Sequence, residues 1–173
     1  MSKYLENVQK GMDLWASDPR TLFVGQATRF KGHAVSRQLE KYPMEKRIEL
    51  PVMEDFQAGF CLGLALDGYI PICIYPRHDF TIIALNQILN HIDKWTLMCP
   101  SSSPKVIIKC LVGAKKPLDG GHQHTANYIT AIKNMCTTIK VLDLQTDDNM
   151  FNCYNRALNE PGSFIISEYT EKY

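Results

Sequence analysis

Glu54 is the residue best placed to do chemistry in this chain. A short apolar run, Leu50-Pro51-Val52-Met53, delivers its carboxylate to the first turn of a predicted helix over residues 54–67. Gly59 and Gly63 share one face of that helix, and two absent side chains there let another backbone approach closely. An acid beside such a contact has two readings. It is held at a dry interface, where burial raises its pKa, or it is solvated at a helix N-terminus, where the dipole favours its charge. Spacing alone favours the solvated acid, because perturbed acids are the minority case. His122 and His124, two apart, can face one way in an extended segment. No third ligand has matching spacing, so a metal pair is disfavoured.

The elements that must position these groups alternate in type. Residues 4–15 carry Leu5, Val8, Met12 and Trp15 on one helical face, and Ser17-Asp18-Pro19 stops that helix. Strands are predicted over 21–26, 70–75, 106–112, 139–144 and 164–168, with a short extended segment over 47–52. Helices are predicted over 33–41, 54–67, 80–97, 126–135 and 147–158. Gly25 suits a tight exit from the first strand, and the Gly/Pro/Lys-rich stretch 113–121 is a loop able to line a site. Strands alternating with helices argue for an α/β fold: a single three-layer domain over residues 1–173 with a mostly parallel sheet.

Composition narrows the function. At 173 residues the chain is long enough for one domain with a real core and too short for two ordinary ones. A net charge of +1 gives no electrostatic reason to expect nucleic acid or an anionic membrane as a partner. The apolar runs fall far below the ~20 residues needed to span a bilayer. The N-terminus carries no apolar signal core, so a cytoplasmic protein is expected. Cys61, Cys73, Cys99, Cys110, Cys136 and Cys153 lack Cys-x-x-Cys and zinc-ligand spacing. They are expected as reduced core residues. No Gly-x-Gly-x-x-Gly loop follows the first strand, which argues against a nucleotide- or flavin-binding module.

Residues 49–90 resemble the beta subunit of the thiamine-diphosphate-dependent 2-oxoacid dehydrogenases. More broadly, they resemble the pyrimidine-binding domain of the transketolase-like superfamily. The matching pieces are Pro51-Val52-Met53-Glu54, the Ala58-Gly59 and Gly63 helix, Gly68, and Pro71-Ile72-Cys73. Asp79-Phe80, Ala84 and Asn86-Gln87-Ile88-Leu89-Asn90 follow in the family's order, and Gln123-His124-Thr125 is similar to its Gln-His-Ser element. The likeness runs from about Leu22 to the C-terminus. Its order and spacing are more specific for the fold than for the substrate.

The resemblance implies roles for four residues. Glu54 takes the place of the acid that hydrogen-bonds the cofactor's pyrimidine nitrogen. That bond favours the imino tautomer, whose exocyclic nitrogen removes the thiazolium proton, and burial would keep the acid protonated. Phe80 corresponds to the aromatic that stacks on the aminopyrimidine; the alternative is a plain core phenylalanine. His124 corresponds to a histidine facing the substrate, able to exchange protons near neutral pH; the alternative is a surface loop histidine. Gln26, near the cofactor, stands where these beta subunits carry a glutamate, a departure that bears on substrate class. Arg77 and His78 replace apolar or neutral positions and read either as an anion contact or as a solvated loop.

The family's magnesium and diphosphate segment, Gly-Asp-Gly followed by an Asn pair, has no counterpart here. The expectation is therefore half an active site. The chain would be the pyrimidine-binding subunit of a two-chain enzyme acting on a 2-oxoacid or ketose-type donor, by decarboxylation or two-carbon transfer. It would share thiamine diphosphate with a separate diphosphate-binding subunit that carries magnesium, in a homodimer or hetero-oligomer. The alternative is a non-catalytic interaction subunit that retains the fold.

Overall fold

The computed structural model describes residues 2–30, 34–116, 119–146 and 148–173. Helix α1 (Lys3–Ser17) begins where the Ser2 hydroxyl accepts the Leu5 amide at 3.1 Å, an N-cap. There follow β1 (Thr21–Gly25), α2 (Ala34–Leu39), β2 (Arg47–Glu49), α3 (Glu54–Leu66), β3 (Ile70–Tyr75), α4 (Trp95–Met98) and β4 (Ile107–Val112). The chain continues with α5 (Ile129–Met135), β5 (Lys140–Asp143), α6 (Met150–Asn159) and β6 (Phe164–Tyr169). The predicted starts at 33 and 147, and residues 117–118 of the predicted loop, lie outside the described residues.

The six strands make one sheet in the order β2-β1-β3-β4-β6-β5, with every pairing parallel. Side chains alternate across it. Phe23, Ile72, Ile107 and Phe164 enter a core shared with α1, α2 and α6. Val24, Cys73, Ile108 and Ile165 enter a second core shared with α3 and α5. A parallel sheet covered on both faces needs such nearly continuous apolar strands. The cysteines are free, with Cys61, Cys73 and Cys110 buried in the second core. Among the described residues, no helix is long and apolar enough to cross a membrane.

Helices α1 and α6 meet closely. The Trp15 and Tyr154 rings lie 4.6 Å apart, and the indole N–H donates to the Tyr154 carbonyl at 3.0 Å. A Cβ at Gly11 would lie 2.2 Å from the Tyr154 ring. Gly11→Ala is therefore expected to destabilise the chain by about 1–3 kcal/mol through overpacking. Urea unfolding measures this, and an unchanged midpoint would show that the two helices separate freely.

The helix expected over 80–97 is present in part and is not one regular α-helix. A 3-10 turn (His78–Ile82) leads instead to a π-helical segment (Gln87–Ile92) and then to α4. Buried Ala84, Ile88 and Ile92 recur every four residues. The wider winding, with the Asp93 amide donating to the Ile88 carbonyl at 2.9 Å, keeps them on one face. It also leaves Asp93 buried, where its carboxylate accepts the amides of Thr137, Thr138 and Ile139 at 2.7–3.1 Å. Burial works against this charge, but the three amide donors outweigh it and hold the carboxyl below the usual carboxylate range.

A charged cluster sits in the first core. The wholly buried Lys109 ammonium pairs with the Glu168 carboxylate, which also accepts the Tyr154 hydroxyl and, at 2.6 Å, the Tyr173 hydroxyl. Burial lowers the Lys109 pKa, and Glu168 works in the opposite direction.

Candidate functional site

The candidate groups gather at the carboxyl ends of the parallel strands, around the point between β1 and β3 where the strand order reverses. Gly25 ends β1 so near β3 that a Cβ would lie 2.6 Å from the Ile74 carbonyl oxygen. Beyond Gln26 the chain turns at Ala27, left-handed at φ 57°, a strained conformation for a residue with a Cβ. Glu49, ending β2, steadies that turn by accepting the amides of Ala27, Thr28 and Arg29 at 2.7–2.9 Å. The fixed turn lets the Gln26 side-chain amide donate to Glu54 Oε1 at 3.2 Å.

Glu54 opens α3 and is only 5 % exposed, which excludes the solvated acid. Its carbonyl accepts the Tyr75 hydroxyl at 3.0 Å. One turn on, the Gln57 amide donates to the Ile74 carbonyl at 2.9 Å and to Cys73 Sγ at 3.3 Å. Both contacts pin the first turn of α3 to β3. A cleft of about 720 Å³ opens at Glu54, lined also by Val52, Met53, Asp55, Phe56, Gly59, Phe60, Ile83 and Gln87. Among the described residues, a Cβ at Gly63 would meet nothing within 4 Å, and one at Gly59 would meet only the Gln87 side chain, at 3.4 Å. This glycine face is open; it does not serve helix-on-sheet packing within the chain.

Phe80 and His124 meet edge-on with ring centroids 5.4 Å apart. With Asp79, His122, Gln123 and Tyr128 they line a second hollow of about 410 Å³. Gly113, just past β4, permits this, since a Cβ there would lie 1.8 Å from the His124 carbonyl oxygen. Asp79 Oδ1 accepts the Ala126 amide at 3.3 Å. Asp79 Oδ2 and His124 Nδ1 are buried without a hydrogen-bond partner among the described residues.

His78 is buried. Its Nδ1 accepts the Tyr128 amide at 2.9 Å, which leaves the proton on Nε2, 3.4 Å from Ser167 Oγ. That tautomer donates toward the hydroxyl and cannot activate it as a nucleophile. Burial pushes the imidazole below its ordinary pKa, while Asp79 and Asp143 pull it upward. His78 is thus a core residue and neither an anion contact nor part of a solvated loop. Arg77 turns its guanidinium to the Pro76 carbonyl at 2.9 Å.

The fold therefore brings Gln26 to Glu54 and Phe80 to His124. Glu54 and the Phe80–His124 pair line separate hollows, with Ile83 on the first and Phe80 on the second. Glu49 carries a positioning role that motif reading passed over. Its signal was available as an acid at a strand end, where loop amides need acceptors. Among the described residues, no group of three His, Cys, Asp or Glu side chains could hold a metal.

No family model matches the chain. It is 30% identical over 168 residues to the mitochondrial pyruvate dehydrogenase E1 component subunit beta of Rattus norvegicus, covering 94% of this chain and 46% of that protein. The Homo sapiens counterpart is 30% identical over 166 residues, covering 93% and 45%. The E1 component subunit beta of Mycoplasma pneumoniae is 23% identical over 176 residues, covering 98% and 52%. The chain thus spans about half the length of the curated relatives it matches. A solved structure described as a split gene transketolase, inactive beta4 tetramer, shares the fold with a TM-score of 0.72 at 18% identity, over 98% of this chain and 51% of that one. Over nearly its whole length the chain is homologous to part of the pyruvate dehydrogenase E1 beta subunits, and it has the transketolase-like fold.

Proposed function

We propose that this chain is the cofactor-activating part of a thiamine-diphosphate enzyme acting on a 2-oxoacid or ketose-type donor, completed by a diphosphate-binding chain that carries the magnesium. The observation that carries this reading is the buried Glu54, held by Gln26 and opening onto a largely apolar cleft. The residues fit a flat heteroaromatic ring. Phe56 and Phe60, with ring centroids 5.8 Å apart, Ile83 and the bare Gly59 give apolar walls, and Glu54 and Gln87 give polar contacts. When bound, thiamine diphosphate supplies the nucleophilic carbon. Glu54 holds a proton against the pyrimidine nitrogen, Gln26 fixes the plane of that carboxyl, and the apolar walls exclude water. His124 exchanges protons on the substrate side.

The surroundings of the cleft support a second subunit. Val52 is 74% exposed and Ile83 57% exposed beside the open glycine face of α3, an apolar patch that suits burial against another chain. The relatives are named as subunits, and the structural neighbour is described as a split gene product and a tetramer. In this reading the face packs on a second copy or on the diphosphate-binding chain.

Calorimetric titration with thiamine diphosphate and magnesium tests the reading. The chain alone is expected to bind weakly or not at all, because much of the cofactor's polar binding energy comes from its diphosphate. Addition of the diphosphate-binding chain is expected to produce saturable binding. Tight magnesium-dependent binding by the chain alone would contradict the shared site, and no binding by the assembled pair would contradict the cofactor.

A further inference from the structure

We infer that Asp79 is a positioning residue for His124: its Oδ2 accepts the Nδ1 proton of the imidazole and leaves Nε2 open as the base. Two atoms carry the inference. Asp79 Oδ2 and His124 Nδ1 are each buried and unpartnered among the described residues, and both residues line the same hollow. A buried polar atom without a partner is costly, and each of these supplies what the other lacks. The two are also tethered. Asp79 Oδ1 already grips the Ala126 amide, two residues beyond His124, and Phe80, next to Asp79, holds the imidazole edge-on. Side-chain torsions at two anchored residues close the pair, as catalytic hydrogen bonds tighten when a site fills.

Asp79 is the carboxylate that lines the hollow with His124. His78, on the same 3-10 turn, is committed through both nitrogens. A carboxylate on Nδ1 fixes the tautomer and orients the ring, which gives a base a defined direction. The inference rests on the proposed function only for the task it gives His124; the pair itself is a property of this chain.

Long-range 1H–15N correlation spectra of the 15N-histidine-labelled chain test it without cofactor or partner. Above its titration point, His124 is expected to carry its proton on Nδ1. In Asp79→Asn the proton is expected to move to Nε2. An unchanged His91 signal and equal far-UV circular dichroism would show that the fold is intact. A wild-type His124 protonated on Nε2, or the same tautomer in the two proteins, would overturn the inference. If the variant does not fold, the wild-type tautomer alone decides. Failure of the calorimetric test would remove the thiamine reading and leave this pair standing, and the converse also holds.

Discussion

Replacing Glu54 by glutamine is expected to abolish exchange of the thiamine diphosphate C2 proton in the assembled enzyme, a loss on the order of 10²–10⁴-fold for a positioned acid. The substitution keeps the shape of the side chain. Its amide oxygen can still accept from Gln26, and the backbone carbonyl still accepts the Tyr75 hydroxyl, so α3 stays in place. What disappears is the ionisable proton at the mouth of the apolar cleft. Rates of C2 deuterium exchange in wild type and variant measure this, with circular dichroism confirming equal helix content. Equal exchange rates would end the assignment of Glu54 as the activating acid.

Lys109→Met is expected to lower the unfolding free energy by about 3–5 kcal/mol, as breaking one side of a buried ion pair typically does. That is a large share of the roughly 5–15 kcal/mol that holds a domain together. The substitution leaves the Glu168 carboxylate in the first core with only two phenols, Tyr154 and Tyr173, to answer its charge. The double variant Lys109→Met/Glu168→Gln removes the orphaned charge and should recover part of the loss. Urea unfolding of the three proteins separates the cases. A single-variant loss below about 1 kcal/mol, the range of an exposed pair, would mean that the pair contributes little to the fold.

Much of the architecture was legible because the strands are bounded apolar runs. Ile70–Tyr75 was read to the residue, and β4, β5 and β6 to within one or two. The stretch after β3 was not legible as it is. Its apolar period of four looks helical, but whether the chain absorbs that period by supercoiling or by a π-turn depends on where Asp93 finds its donors, across the chain at Thr137 to Ile139. Lys109 and Glu168 were equally opaque as partners. In the β4–β6 register Lys109 sits beside Ile166, and Glu168 beside Leu111, so the two meet on a diagonal that only the pairing reveals. For Glu54, local spacing favoured a solvated acid. Its burial comes from tertiary contacts with β3 and the Glu49-steadied loop, which no window around residue 54 contains. Asp79 reads as an ordinary loop acid until His124 is folded beside it.

The parallel sheet carries a kinetic consequence. None of its pairings can form as a hairpin, so each must wait for a crossover to be made. Lys109 and Glu168, on the neighbouring central strands β4 and β6, are 59 residues apart in the chain. Strand β5 is synthesised before β6, its neighbour at the sheet edge. As the chain leaves the ribosome, β1, β2, β3 and β4 can assemble first, while β5 has nothing to pair with and the outer edge of β4 stands open. Loop closure of this length is met before its contacts return anything, which makes such topologies slow. Until β6 is made, the edge of β4 that it covers has no strand partner, the kind of bare apolar edge on which premature strand pairing acts.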